Sequence, residues 1–162
     1  MRVVCNSSVI IALSYIKKLD ILWKIFKEIF VPEAVYEEVC LKGKDRVGSK
    51  ELSKAIKEKL IRVAKPRNRL LVTSLVDPLG HGEAEAIVLA LELSSNYICI
   101  DDKKARQKAK QLGLSVKGTL GILWLALKHG IINQKEFFES LDLLEEFGFR
   151  ISRKIVMDLL KK

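Results

Sequence analysis

The chain has 162 residues, of which 49% are hydrophobic and 30% charged, which is the balance of a folded globular domain with a real core and excludes a disordered or fibrous chain. Its 29 Lys and Arg outnumber its 20 Asp and Glu by nine, so its surface suits polyanionic partners, either nucleic acid or an acidic protein segment. Three cysteines with no Cys-x-x-Cys argue against a disulfide framework or a zinc site, and no apolar run reaches membrane-spanning length.

The opening residues read as a strand, Arg2–Cys5, and not as a leader, so a cytoplasmic location and one domain over residues 1–162 are expected. Asn6, Ser7 and Ser8 follow at the strand end, where ligands bind in open α/β folds. Further strands are expected at Ile29–Val31, Ile61–Ala64, Tyr97–Ile100 and Ser115–Lys117. Between them lie helical patterns. LDILWKIF (19–26) has an apolar face, and PEAVYEEVCLK (32–42) opens with Pro32 in the first turn. SKELSKAIKEKL (49–60) is amphipathic, and GEAEAIVLALEL (82–93) is largely apolar. DDKKARQKAKQLG (101–113) has an acidic start and a glycine stop. Lys42–Ser49 and Lys65–Leu70 read as polar, basic connections. After Gly118 three helical patterns follow, with a short run, FRIS (149–152), between the last two. Alternating strands and helices predict a mainly parallel sheet covered on both faces, with a helical C-terminal tail.

Acidic residues recur beside the expected strand ends: Glu37 and Glu38, Glu83 and Glu85, and Asp101 and Asp102. Carboxylates gathered at adjacent strand ends suit a hard divalent cation such as Mg²⁺. The same residues also serve as ordinary helix caps and first-turn acids, and the pattern alone leaves both readings open. Glu83 and Glu85 are two apart, so the helix offers one acid to a cleft and the other elsewhere. Thr119, after Gly118, reads equally as an N-cap. Lys103, Lys104, Arg106, Lys108 and Lys110 form either a phosphate-tracking helix or a solvated face. Two histidines, His81 and His129, support no Ser-His-Asp arrangement, and Gly80, Gly82, Gly118 and Gly121 form no dinucleotide fingerprint.

Taken in order, VVCNSSVIIAL (3–13), VPEAVYEEV (31–39), GHGEAEAIVLALEL (80–93) and YICIDDKKARQKAKQLGLSVKGTLGIL (97–123) resemble the PIN-domain family over nearly the whole chain, most closely a branch akin to the VapC toxins. The resemblance implies a three-layer α/β/α sandwich and a ribonuclease of toxin–antitoxin type dependent on Mg²⁺ or Mn²⁺. It also implies RNA as substrate, a small antitoxin as partner, and a homodimer. Carried over by position, the family's acids fall on Glu38, on Glu83 with Glu85 as the alternative, and on Asp102 with Asp101 beside it. Its hydroxyl falls on Thr119. Its first aspartate falls on Asn6, a neutral amide, so the resemblance equally admits a weakened enzyme or a degenerate domain that binds RNA or protein without cutting.

Overall fold

The computed structural model describes residues 1–162. Five parallel strands form one sheet in the order β3-β2-β1-β4-β5: β1 Arg2–Cys5, β2 Glu28–Pro32, β3 Arg62–Ala64, β4 Tyr97–Cys99 and β5 Val116–Lys117. Period-two alternation splits their side chains between two cores. Val3, Cys5, Ile29, Val31 and Cys99 face the larger cluster, together with residues of α1 (Ser7–Tyr15), α2 (Ile21–Ile25), α4 (Ser49–Lys57), α8 (Thr119–Lys128), α9 (Gln134–Phe147) and α10 (Arg153–Leu160). Val4, Ile98 and Ile100 face the smaller one, under α5 (Arg69–Leu79), α6 (His81–Glu92) and α7 (Lys103–Gln111). The result is the expected α/β/α sandwich. No helix is long and apolar enough to cross a membrane.

This strand order decides where a site can form. The chain moves from β1 outward to β2 and β3, then returns to the other side of β1 as β4. The two directions part between β1 and β4, and the crevice beyond the carboxyl ends of such strands is where open α/β sheets bind ligands. Asn6 follows β1 and Asp101 follows β4 at this place.

Several local expectations need correction. The pattern at 32–42 is not one α-helix: α3 spans Glu33–Tyr36 and continues as a π-helix over Glu37–Lys42, with Pro32 as the N-cap of α3. Arg69–Leu79, expected in part as a connection, is helical, although Asp77 (φ −104°, ψ 121°) interrupts it before Pro78. A β-branched Thr73 and this proline obscure the helical signal there. Phe149–Ser152 is irregular chain, not a strand.

Candidate active site

Asn6 sits where β1 ends. Its backbone N–H donates to the carbonyl of Cys99 (2.9 Å), tying the end of β1 to β4, and its extended conformation starts α1. Its side chain does not cap that helix. Nδ2 donates instead to Glu83 Oε1 at 3.3 Å, while Oδ1 is buried without a hydrogen-bond partner. A buried carbonyl oxygen with no donor is costly in a protein interior, and its free lone pairs suit a cation or a donor from solvent.

Glu83 stands in the first turn of α6. It is positioned by the turn Gly80–His81–Gly82, in which Gly80 takes φ +95° and a Cβ there would lie 3.0 Å from Glu83 Oε2. Gly82 matters more. A Cβ on it would meet Glu38 Oε2 at 3.2 Å and Asn6 Oδ1 at 3.5 Å, so the missing methyl leaves a small space bounded by oxygens of two different side chains. Glu38 reaches this point from the π-helix. Asn6, Glu38 and Glu83 therefore converge on one place. No three His, Cys, Asp or Glu side chains group closely enough to hold a metal ion by themselves, and the third member of this trio is the amide.

Above the trio opens a cavity of about 630 Å³. Glu33, Glu37, Glu38, Glu83 and Glu85 line it, opposed by Lys42, Lys65 and Arg69, with His81 at its edge. Five carboxylates against three cations leave its walls two charges negative with His81 neutral. One divalent cation would cancel that difference. Orphaned oxygen, glycine notch and charge balance all fit a hard cation.

Both glutamates of α6 border the cavity, but only Glu83 reaches Asn6. Glu85 is nearly buried; its Oε1 accepts from the Ala34 N–H (2.9 Å) and its Oε2 from Arg69 Nη1 (2.9 Å). It thus caps α3 and ties α3, α5 and α6 together.

The remaining expected residues lie apart from this cavity. Asp101 is satisfied by Thr119, whose N–H donates to Oδ1 (2.8 Å) and whose hydroxyl donates to Oδ2 (2.7 Å). Thr119 is fully buried and is not the N-cap; Gly118 holds that position, and Asp101 supplies the acceptor from the end of β4. Asp102 is exposed and caps α7, accepting from the Ala105 N–H (2.9 Å). The capping reading therefore describes Asp102 as the structure places it. Of the basic helix, Arg106 donates to the Ile100 carbonyl (3.1 Å), and Lys104 and Lys108 border a separate hollow of about 260 Å³.

The sequence did not single out Lys42, Lys65, Arg69 or the role of Gly82. Lys65 and Arg69 belong to RVAKPRNR (62–69), a run with four cations and no acid, and that was the available signal. Gly82 belongs to no nucleotide fingerprint, and nothing in its sequence context marks the notch between Glu38 and Asn6. Beneath the site, Cys5 and Cys99 are register partners on β1 and β4. The Cys5 thiol is pushed well above its ordinary pKa, first by its hydrogen bond with Cys99 and then by burial.

Compared with curated proteins, the chain finds no match. Compared with family models, residues 2–162 match the one described as DUF3368: PIN domain. With its five-stranded parallel sheet between helices and this match over almost its full length, the chain belongs to the PIN-domain family, a nuclease-type fold.

Proposed function

We propose that this protein is a divalent-metal-dependent endoribonuclease acting on single-stranded RNA. The observation that carries the reading is the convergence of the unpartnered Asn6 Oδ1 with Glu38 and Glu83 under a cavity whose walls are two charges negative. Asn6, Glu38 and Glu83 would hold Mg²⁺ or Mn²⁺. When bound, such an ion supplies a Lewis acid for the phosphodiester oxygens and activates water. The chain's own residues do the rest. Asn6 Nδ2 fixes Glu83 by holding Oε1. Glu38, exposed at the rim with Oε2 at the notch, would hold the ion through that oxygen and orient the attacking water with the other. Glu85 keeps α3, α5 and α6 in register so that the two glutamates stay opposed.

The resemblance to the VapC branch extends this reading to a toxin of a toxin–antitoxin pair, working in the cytoplasm as a homodimer with a small antitoxin as its partner. A second reading, a PIN domain that binds RNA or protein without cutting, is favoured by the neutral Asn6 and by the absence of a three-acid group.

Calorimetric titration with Mg²⁺ and Mn²⁺, paired with a cleavage assay on single-stranded RNA, tests the proposal. The parent should bind the ion and cut; Glu83→Gln should weaken ion binding by at least about 10-fold and lose cutting in proportion. RNA binding with no cutting in either ion selects the second reading. No binding of ion or RNA rejects the nuclease and the RNA-binding form of the second reading.

A further inference from the structure

We propose that the phosphate backbone of the RNA is gripped by Lys42 and Lys65, on the β3 side of the cavity, and not by the lysines of α7. The inference rests on the nuclease reading and adds to it which bank of the site receives the strand.

A polyanion cannot settle over a floor of carboxylates unless cations hold its phosphates at the rim. Three cations line the cavity. Arg69 is committed to Glu85 at 2.9 Å, whereas Lys42 and Lys65 make no ion pair. Both are exposed and free to reach a phosphate.

Their placement follows from the backbone. In an α-helix, residues five apart point to different sides; the wider i→i+5 turn over Glu37–Lys42 returns Lys42 one turn after Glu37, on the side that lines the cavity with Glu37 and Glu38. Lys65 leaves the end of the edge strand β3. The register pairs Ala64 with Pro32, so Lys65 emerges beside Glu33 at the start of α3. Two unrelated elements thus deliver one unpaired cation each to the same rim. Lys65 also opens onto Arg67 and Asn68, which continue a basic, exposed approach along the sheet edge. On α7, by contrast, Arg106 is spent on the Ile100 carbonyl, and Lys104 and Lys108 face the separate hollow with Asp77.

The test is fluorescence anisotropy of a labelled oligouridylate over a salt series, without divalent cation so that the strand stays intact. Lys42→Ala with Lys65→Ala should weaken binding roughly 10-fold and reduce the slope of log K against log[salt] by about 1.4, the loss of two single-strand phosphate contacts. Lys103→Ala with Lys104→Ala should leave the slope within about 0.3 of the parent. The milder pair Lys42→Gln with Lys65→Gln should match the alanine pair, with urea unfolding unchanged, which separates lost contacts from lost folding. A full slope retained in the Lys42 and Lys65 variants, or a loss carried by Lys103 and Lys104, overturns the inference while RNA binding itself stands. No RNA binding by the parent, here and again in Mg²⁺ or Mn²⁺, rejects the nuclease reading and this inference with it.

Discussion

Replacing Asn6 by Asp exchanges an NH₂ group for an oxygen at a fully buried position whose NH₂ donates to Glu83 Oε1 at 3.3 Å. Without metal, the exchange converts a hydrogen bond into two facing carboxylates. Two unit charges at that separation repel by about 5 kcal/mol at an effective dielectric of 20. The pair need not bear all of it, because protonating a carboxyl of ordinary pKa at pH 7 costs only about 4 kcal/mol. Glu83 is also partly exposed, and solvent screens the pair further. The expected loss of stability at pH 7 without metal is therefore about 1–3 kcal/mol. The sign with pH follows from the new carboxyl. Its folded-state pKa lies above its unfolded value, so the penalty is absent below pH ~4, grows as pH rises toward the folded-state pKa, and is complete above it. A divalent cation reverses the effect, since it binds three carboxylates better than two and an amide. Urea unfolding of both proteins at pH 5 and pH 7, with EDTA or with Mg²⁺, reads all four conditions. Equal metal-free stability at pH 7, or an equal gain from Mg²⁺ in both proteins, would refute the placement of Asn6 in the ion's shell.

Gly82→Ala separates folding from metal binding. The methyl suits a helix, so stability should hold within about 1 kcal/mol, but it enters the space between Glu38 Oε2 and Asn6 Oδ1 and should weaken Mg²⁺ binding in calorimetry. Unchanged ion affinity would move the ion elsewhere. Thr119→Val removes the 2.7 Å bond to Asp101 at a fully buried position. It should cost about 1–3 kcal/mol in urea unfolding and leave ion affinity as it was; loss of ion binding would instead bring Thr119 into the ion's shell.

Strand positions were legible because apolar runs such as VVC and YIC are buried on both faces of a parallel sheet, and their periodicity carries no competing pattern. Glu38 and Glu83 were legible as acids near strand ends. Which acid does what was not. Asp102 and Glu83 carry the same chemical group at the start of a helical pattern, and only the third dimension gives one the Ala105 N–H and the other the Asn6 amide. Glu85 was ambiguous for the same reason, since its partners Ala34 and Arg69 are 51 and 16 residues away. The π-helix was hidden because EEVCLK has ordinary helix composition, and nothing in it marks an i→i+5 turn. Lys42 could not be placed on the cavity without that turn.

The facing thiols of Cys5 and Cys99 are both wholly shielded from solvent in the centre of the sheet. The high pKa of Cys5 leaves almost none of it as the reactive thiolate at neutral pH. An alkylating reagent added to the folded protein therefore meets neither sulfur until β1 and β4 part. Cys40 lies outside the sheet, in the π-helix, where it receives the Ser53 hydroxyl at 3.3 Å. The three sulfurs make a built-in clock with two hands: modification of Cys40 times the local opening of the segment that carries Glu38 and Lys42, and modification of Cys5 and Cys99 times the opening of the whole molecule.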